Sequence, residues 1–241
     1  MKILSFVTFV ILCISNTFAQ KDEFVIRGYV NNLEGHVASL SLQTDTSMFS
    51  RMGEAVIRNG KFTLKGKVDK PYPGTLMTNN LELVRRNNWP NDSIHWNYID
   101  VFVGNEEITL YPDLTITGGQ VITDFVAYKA MKAGCQQLAG IETDDDEETN
   151  IDIRFIKGHP NSIISLWRAN EILQRAYRLT DKQVGDIANT LDVRTDTARL
   201  NEFNRRLASA LKTTKGSPLA DIDLLDVKGK RCQLKDVVPE G

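Results

Sequence analysis

From Glu23 onward the chain alternates apolar and polar residues. Phe24, Ile26, Gly28 and Val30 fall on one face of a first strand, and Val37–Leu42 reads as a second. Glu54–Gly66 places Asn59-Gly60 between two alternating segments, and that dipeptide reaches positive φ easily, which suits a two-residue hairpin turn. Val56, Phe62 and Leu64 are the core candidates of this hairpin. Lys70-Pro-Tyr-Pro-Gly74 interrupts the pattern, because proline cannot donate to a strand ladder. Shorter strand-like runs follow at 75–78, 81–84, 98–103, 107–110 and 114–117, with a polar loop over 85–93. Many short strands separated by turn residues predict an antiparallel β-sandwich.

At Gly118 the period lengthens. Val121, Phe125, Tyr128, Ala130 and Met131 approximate helical spacing, and Thr123-Asp124 offers start residues for a helix running to about Leu138. Asp144–Glu148 is five like charges in succession, which predicts a solvated loop. Three further helices are expected. The first is capped by Asn161-Ser162 and carries Ile163, Ile164, Leu166, Trp167, Ile172 and Leu173. The second starts at Thr180-Asp181. The third spans about 195–213, with Leu200, Phe203, Leu207, Ala210 and Leu211 on its apolar face. Residues 216–241 return to strand character, with a Lys228-Gly229 turn between two short runs. The fold class is therefore α+β: a sandwich over 20–119, a helical segment over 120–215 and a short hairpin over 216–241.

Composition adds an address and removes several functions. Lys2, the apolar run Ile3–Ile14, the break at Ser15-Asn16 and Thr17-Phe-Ala19 have the form of a cleaved secretory signal over residues 1–19, and the run is shorter than the ~20 apolar residues of a membrane span. This predicts an exported protein, with no stable membrane span after cleavage. Cys13 would be an acylation site in a lipoprotein signal, but Leu12 precedes it where such signals carry Gly, Ala or Ser. The net charge is −2 and the basic residues are dispersed, which argues against nucleic acid as a partner.

The candidate chemistry is sparse. Cys135 and Cys232 remain after signal cleavage; in an oxidising compartment they form either a structural bridge or two unpaired thiols. His36, His95 and His159 show no ligand spacing, and no cofactor is expected. The acidic run fails as a calcium loop, because Thr149 stands at the glycine position and Phe155 at the glutamate position. No nucleophile elbow, P-loop or dinucleotide fingerprint is present. Trp89, among Asn87, Asn88, Pro90, Asn91 and Asp92, is the candidate exposed binding aromatic. Trp96 and Trp167 read as core.

The run 216–236, with its Lys228-Gly229 turn, resembles the entry hairpin of secreted thioredoxin-like proteins of the AhpC-TSA (ResA/TlpA) type. The segments Phe24–Gly28, Asn59–Gly66, Ile116–Gly119 and His159–Ser162 resemble the uncharacterised accessory domain that precedes such hairpins in secreted proteins of some Gram-negative bacteria, and the resemblance implies the periplasm or cell envelope of such a bacterium. The resemblance implies a thiol-disulfide oxidoreductase whose Cys-x-x-Cys helix would follow the hairpin. No two cysteines here are separated by two residues, and Cys232 does not match the reactive position. The expectation is therefore a non-catalytic docking or dimerising region, truncated before the active site, with a redox protein or a second copy as partner. The alternative is a free-standing secreted binding protein of the cell envelope. A hairpin of this size lacks a core, so 221–241 is expected to be loosely held.

Overall fold

The computed structural model describes residues 22–31, 35–79, 97–139, 145–217, 223–225 and 227–233. The signal-like segment, Cys13, Trp89, Trp96, His95, the run at 81–84 and the loop at 85–93 lie outside them. Eight strands come first: β1 (Phe24–Tyr29), β2 (Val37–Thr44), β3 (Ser47–Val56), β4 (Lys61–Gly66), β5 (Tyr72–Asn79), β6 (Asn97–Val103), β7 (Glu107–Leu110) and β8 (Ile116–Gly118). Five helices follow among the described residues: α1 (Gln120–Ala139), α2 (Asp145–Gly158), α3 (Ile163–Leu173), α4 (Asp181–Thr190) and α5 (Thr197–Ala210). A hairpin of β9 (Asp223–Leu225) and β10 (Arg231–Gln233) comes last. The α+β class expected from the sequence is the class observed.

The strands form two four-stranded sheets, ordered β4-β1-β7-β8 and β3-β2-β5-β6. Every pair is antiparallel except β1 with β7, which run parallel with Val25 opposite Glu107. Alternation along each strand sends Phe24, Ile26, Leu40, Leu42, Leu64, Leu76, Ile108 and Leu110 into one core. Across β1 and β4, Phe24 faces Gly66 and Gly28 faces Phe62. Each ring lies over the opposite glycine: a Cβ on Gly28 would sit 1.9 Å from the Phe62 ring, and one on Gly66 would sit 2.6 Å from Phe24.

The Asn59-Gly60 turn forms as its residues dictate, with φ of 51° and 66° and Arg58 and Lys61 exchanging both backbone hydrogen bonds. The flanking strands then diverge, β3 into one sheet and β4 into the other. This crossing corrects one core assignment. Val56 ends β3 opposite Val37 and is half exposed, while Ile57, one residue on, is fully buried. Proline also proves less disruptive than its number predicts. Pro73 lies inside β5, opposite Phe102, at a position one residue beyond the pairing with β2, where no ladder donor is needed.

The acidic run is the largest departure. Asp145–Glu148 opens α2 instead of a loop. Carboxylates are favourable in the first turn of a helix, where the aligned peptide dipoles leave partial positive charge, and Glu148 gains an ion pair with Lys132 of α1. Ile151, Ile153, Phe155 and Ile156 of α2 are buried. Two of the remaining helices start at their expected caps, and the last starts at Asp196, within the span expected for it. Ser162 Oγ accepts from Ile164 N at 3.2 Å, Thr180 and Gln183 form a capping box, and Asp196 accepts from Arg199 N. Two residues assigned to apolar faces, Ala130 and Leu211, are exposed instead.

Helix α1 packs against β6 and against β8 of the other sheet, and the two cores exchange side chains. Phe102 of β6 leaves the sandwich for the helical core, where it meets Phe125 at 5.9 Å and Trp167 at 5.3 Å between ring centroids. Ile122 of α1 is buried in the sandwich core. Glu106 fixes this junction: its carboxylate accepts from the backbone of Val121 and Ile122, at 3.3 and 3.0 Å, and so caps α1 from the sandwich side. Burial pushes the Glu106 carboxyl above its usual range.

Candidate functional site

The interlocking of sheet and helices leaves three depressions around one turn of α3. Trp167 and Arg168 are half-buried on that turn, and Ala169 and Asn170 beyond them are buried. The Trp167 ring is held edge-on by Phe102 and by Tyr128, the latter at 6.4 Å, and the Arg168 guanidinium lies 4.9 Å over it. Both neighbours are core residues, so the indole is fixed in orientation.

Arg168 is the electrostatic hinge of the site. It reaches Asp152 of α2 with two hydrogen bonds, Nε to Oδ1 at 3.1 Å and Nη2 to Oδ2 at 2.6 Å, and the Tyr128 hydroxyl donates to the same Oδ1 at 2.8 Å. Asp152 is 1% exposed. Burial works against the charge of Arg168, but its hydrogen bonds and attraction to Asp152 outweigh that and hold its pKa above the ordinary arginine value. Burial raises the Tyr128 hydroxyl as well, so it stays a donor at any physiological pH. Lys132 pairs with Glu148 beside this triad, and the hydrogen bond lowers the Glu148 carboxyl.

The largest depression, about 470 Å³, opens between the outer sheet face and α1. Phe125, Tyr128 and Trp167 give it aromatic walls, and Lys129, Lys132 and Arg168 face a single carboxylate, Asp100. On the other side of Trp167 a second cleft of about 230 Å³ is lined by Asp45, Glu171 and Glu202 against Arg199 and Arg206. Tyr72 lies in its wall, its hydroxyl pushed up to about 12 by burial and by a hydrogen bond to Asp69. A third, of about 270 Å³, lies behind Arg168 and is lined by Glu148, Asp152, Arg175 and Arg178. Several of the lining groups are engaged as ion pairs, Lys129 with Asp100, Lys132 with Glu148, Arg168 with Asp152 and Arg206 with Glu202.

The candidates from the sequence whose side chains are among the described residues do not line these clefts. Trp89 lies outside the described residues. Cys135 is on α1, its side chain outside the described residues. Cys232 is a half-buried free thiol on β10, its Sγ 3.9 Å from the Leu224 carbonyl oxygen. His159 stacks on Phe155 at 4.4 Å, and its carbonyl accepts from Ser165. Among the described residues no group of three potential ligands could hold a metal ion, and no helix is long and apolar enough to cross a membrane. Sequence reasoning took Trp167 for core and passed over Arg168, whose partners lie 16 and 40 residues away in the chain.

Residues 24–125 match the model of DUF4369, a domain of unknown function. The DUF4369 region takes in the whole sandwich and the start of α1, up to Phe125 in the wall of the largest cleft. Trp167 and Arg168 come from beyond it. No curated protein matches the chain.

Proposed function

We propose that this chain is the non-catalytic accessory region, docking or dimerising, of an exported thiol-disulfide oxidoreductase of the thioredoxin-like family. The β9–β10 hairpin carries this reading. It pairs Arg231 with Leu225 and Gln233 with Asp223 around a turn in which Gly229 has φ of 77°, where the resemblance puts the first hairpin of a thioredoxin-like sheet. Leu225 is 68% exposed and Val227 fully exposed, as suits strands that further sheet would cover. The signal-like residues 1–19 support export. A dithiol exchange centre needs a second thiol close to the first, and this chain has no Cys-x-x-Cys.

The clefts about Trp167 favour a second reading, a free-standing binding protein of the cell envelope. The reading frame beyond codon 241 separates the two: an in-frame Cys-x-x-Cys segment supports the accessory role, and unrelated sequence behind a stop codon supports the other. The purified chain is expected to reduce insulin disulfides no faster than dithiothreitol alone. Turnover that vanishes in a Cys135→Ser, Cys232→Ser double variant would overturn the non-catalytic assignment.

A further inference from the structure

We infer that the two clefts flanking Trp167 are one groove that takes a short extended polypeptide segment, with an acidic side chain at one end, an apolar side chain over the indole and a basic or N–H-donating group at the other. The inference rests on the docking reading and names its ligand class.

Continuity comes first. Gln43, Pro73 and Trp167 line both clefts, so the indole is a saddle within one depression. The two volumes together fall within the roughly 300–1,000 Å³ of ordinary ligand sites. Charge then gives the groove a direction. On the α1 side the lining carries Lys129, Lys132 and Arg168 with one carboxylate, Asp100, which is bonded to Lys129 at 2.5 Å, while Lys132 and Arg168 pair with Glu148 and Asp152, which line the cleft behind. An ammonium has three donors and a guanidinium five, and Asp152 engages only Nε and Nη2 of Arg168, so donors remain for a ligand carboxylate. On the α5 side Asp45, Glu171 and Glu202 line the cleft with Arg199 and Arg206, and Lys70 is bonded to Asp45 at 2.6 Å.

Asn170 supplies the third observation. It lines the acidic cleft, is 6% exposed, and its Oδ1 has no hydrogen-bond partner. The amide is not free to turn over, because Nδ2 donates to the carbonyl oxygens of Leu166 at 3.1 Å and Arg199 at 3.2 Å. A buried acceptor left unpaired costs about 1–3 kcal/mol, so this position calls for a donor. The atom itself is closed to solvent, so a peptide N–H or a basic side chain meets that demand only by displacing the side chains that cover it. A neutral oligosaccharide would also supply donors and stack on the indole, but it would gain nothing from opposite charge at the two ends.

The test is calorimetric titration of the purified chain with three blocked pentapeptides, Ac-Glu-Gly-Phe-Gly-Lys-NH2 and its all-Glu and all-Lys counterparts, beside a neutral linear tetrasaccharide. The mixed-charge peptide is expected to saturate below ~1 mM and to bind about fivefold more tightly than either counterpart. Lys129→Glu, at an exposed position, should reverse the preference toward the all-Lys peptide, and Arg58→Glu, on the distant turn, should leave it unchanged. Equal binding of the three peptides, tighter binding of the tetrasaccharide, or no saturation in that range would overturn the groove assignment. Peptide binding by a chain whose reading frame carries no Cys-x-x-Cys segment would leave the groove standing and remove the oxidoreductase reading.

Discussion

Two turns of similar local chemistry, Asn59-Gly60 and Lys228-Gly229, lead into different structures. Both place glycine at positive φ, 66° and 77°, between short alternating runs. After the first, β4 delivers Phe62 and Leu64 into the sandwich core, each about 95% buried or more. After the second, β10 pairs among the described residues with β9 alone, with Arg231 exposed and Cys232 and Gln233 half-buried. The turn residues set the reversal in both cases, but whether the returning strand is buried depends on a second apolar surface. The sandwich and the helical layer give each other one, through Phe102 in one direction and Ile122 in the other.

The comparison breaks most severely at the charge that the helical layer buries. Asp152→Ala removes the partner of Arg168 and of the Tyr128 hydroxyl, and leaves a guanidinium uncompensated in the interior. A loss of about 3–5 kcal/mol in urea unfolding is expected, with the amide exchange of β9–β10 unchanged.

The two turn glycines sharpen it at smaller scale. Gly60→Ala forces an L-residue to φ of 66° with its Cβ 2.8 Å from the Val30 carbonyl oxygen, and should cost about 1–2 kcal/mol of global stability. Gly229→Ala carries the same conformational penalty, yet global unfolding should shift by less than about 0.5 kcal/mol, the outcome expected of a hairpin that unfolds separately from the two cores. Equal losses in the two variants would show that the hairpin folds with the rest.

The smallest expected effect is at acid pH. Hydrogen bonds from Arg205 and Arg206 lower Glu202 from its ordinary 4.5 to about 2. The folded state therefore favours the ionised carboxylate. Its contribution is complete above about pH 4.5 and is lost as pH falls toward 2. Glu148, lowered by Lys132, acts in the same direction, whereas Glu106, raised by burial, acts in the opposite one. Melting curves at pH 7 and pH 3 should show a smaller acid loss in Glu202→Gln than in the parent chain.

Local signals in this sequence are read correctly where one residue decides the outcome. Ser162 and Thr180 cap the helices they announce, and Asn59-Gly60 turns where its φ preference requires. Signals fail where a distant partner decides. The acidic run predicts a loop, yet it opens a helix whose Ile151, Ile153, Phe155 and Ile156 are buried and whose Glu148 and Asp152 pair with Lys132 and Arg168 from other helices. Val56 fits the alternation of its own strand, but the crossing from one sheet to the other passes the core position to Ile57. The groove was hidden for the same reason. Gln43, Lys129, Trp167 and Asn170 share no motif, and they meet only because the helices close over β2, β5 and β6.

Native-state hydrogen exchange, resolved by residue, tests the central contrast most directly. Amides of β1, β2, β5 and α3 should exchange only through global unfolding, while those of Asp223–Leu225 and Arg231–Gln233 should exchange near the rate of an unstructured chain. Protection of β9–β10 equal to that of the sandwich would contradict the account, because the hairpin would then belong to the core that binds the rest of the molecule together.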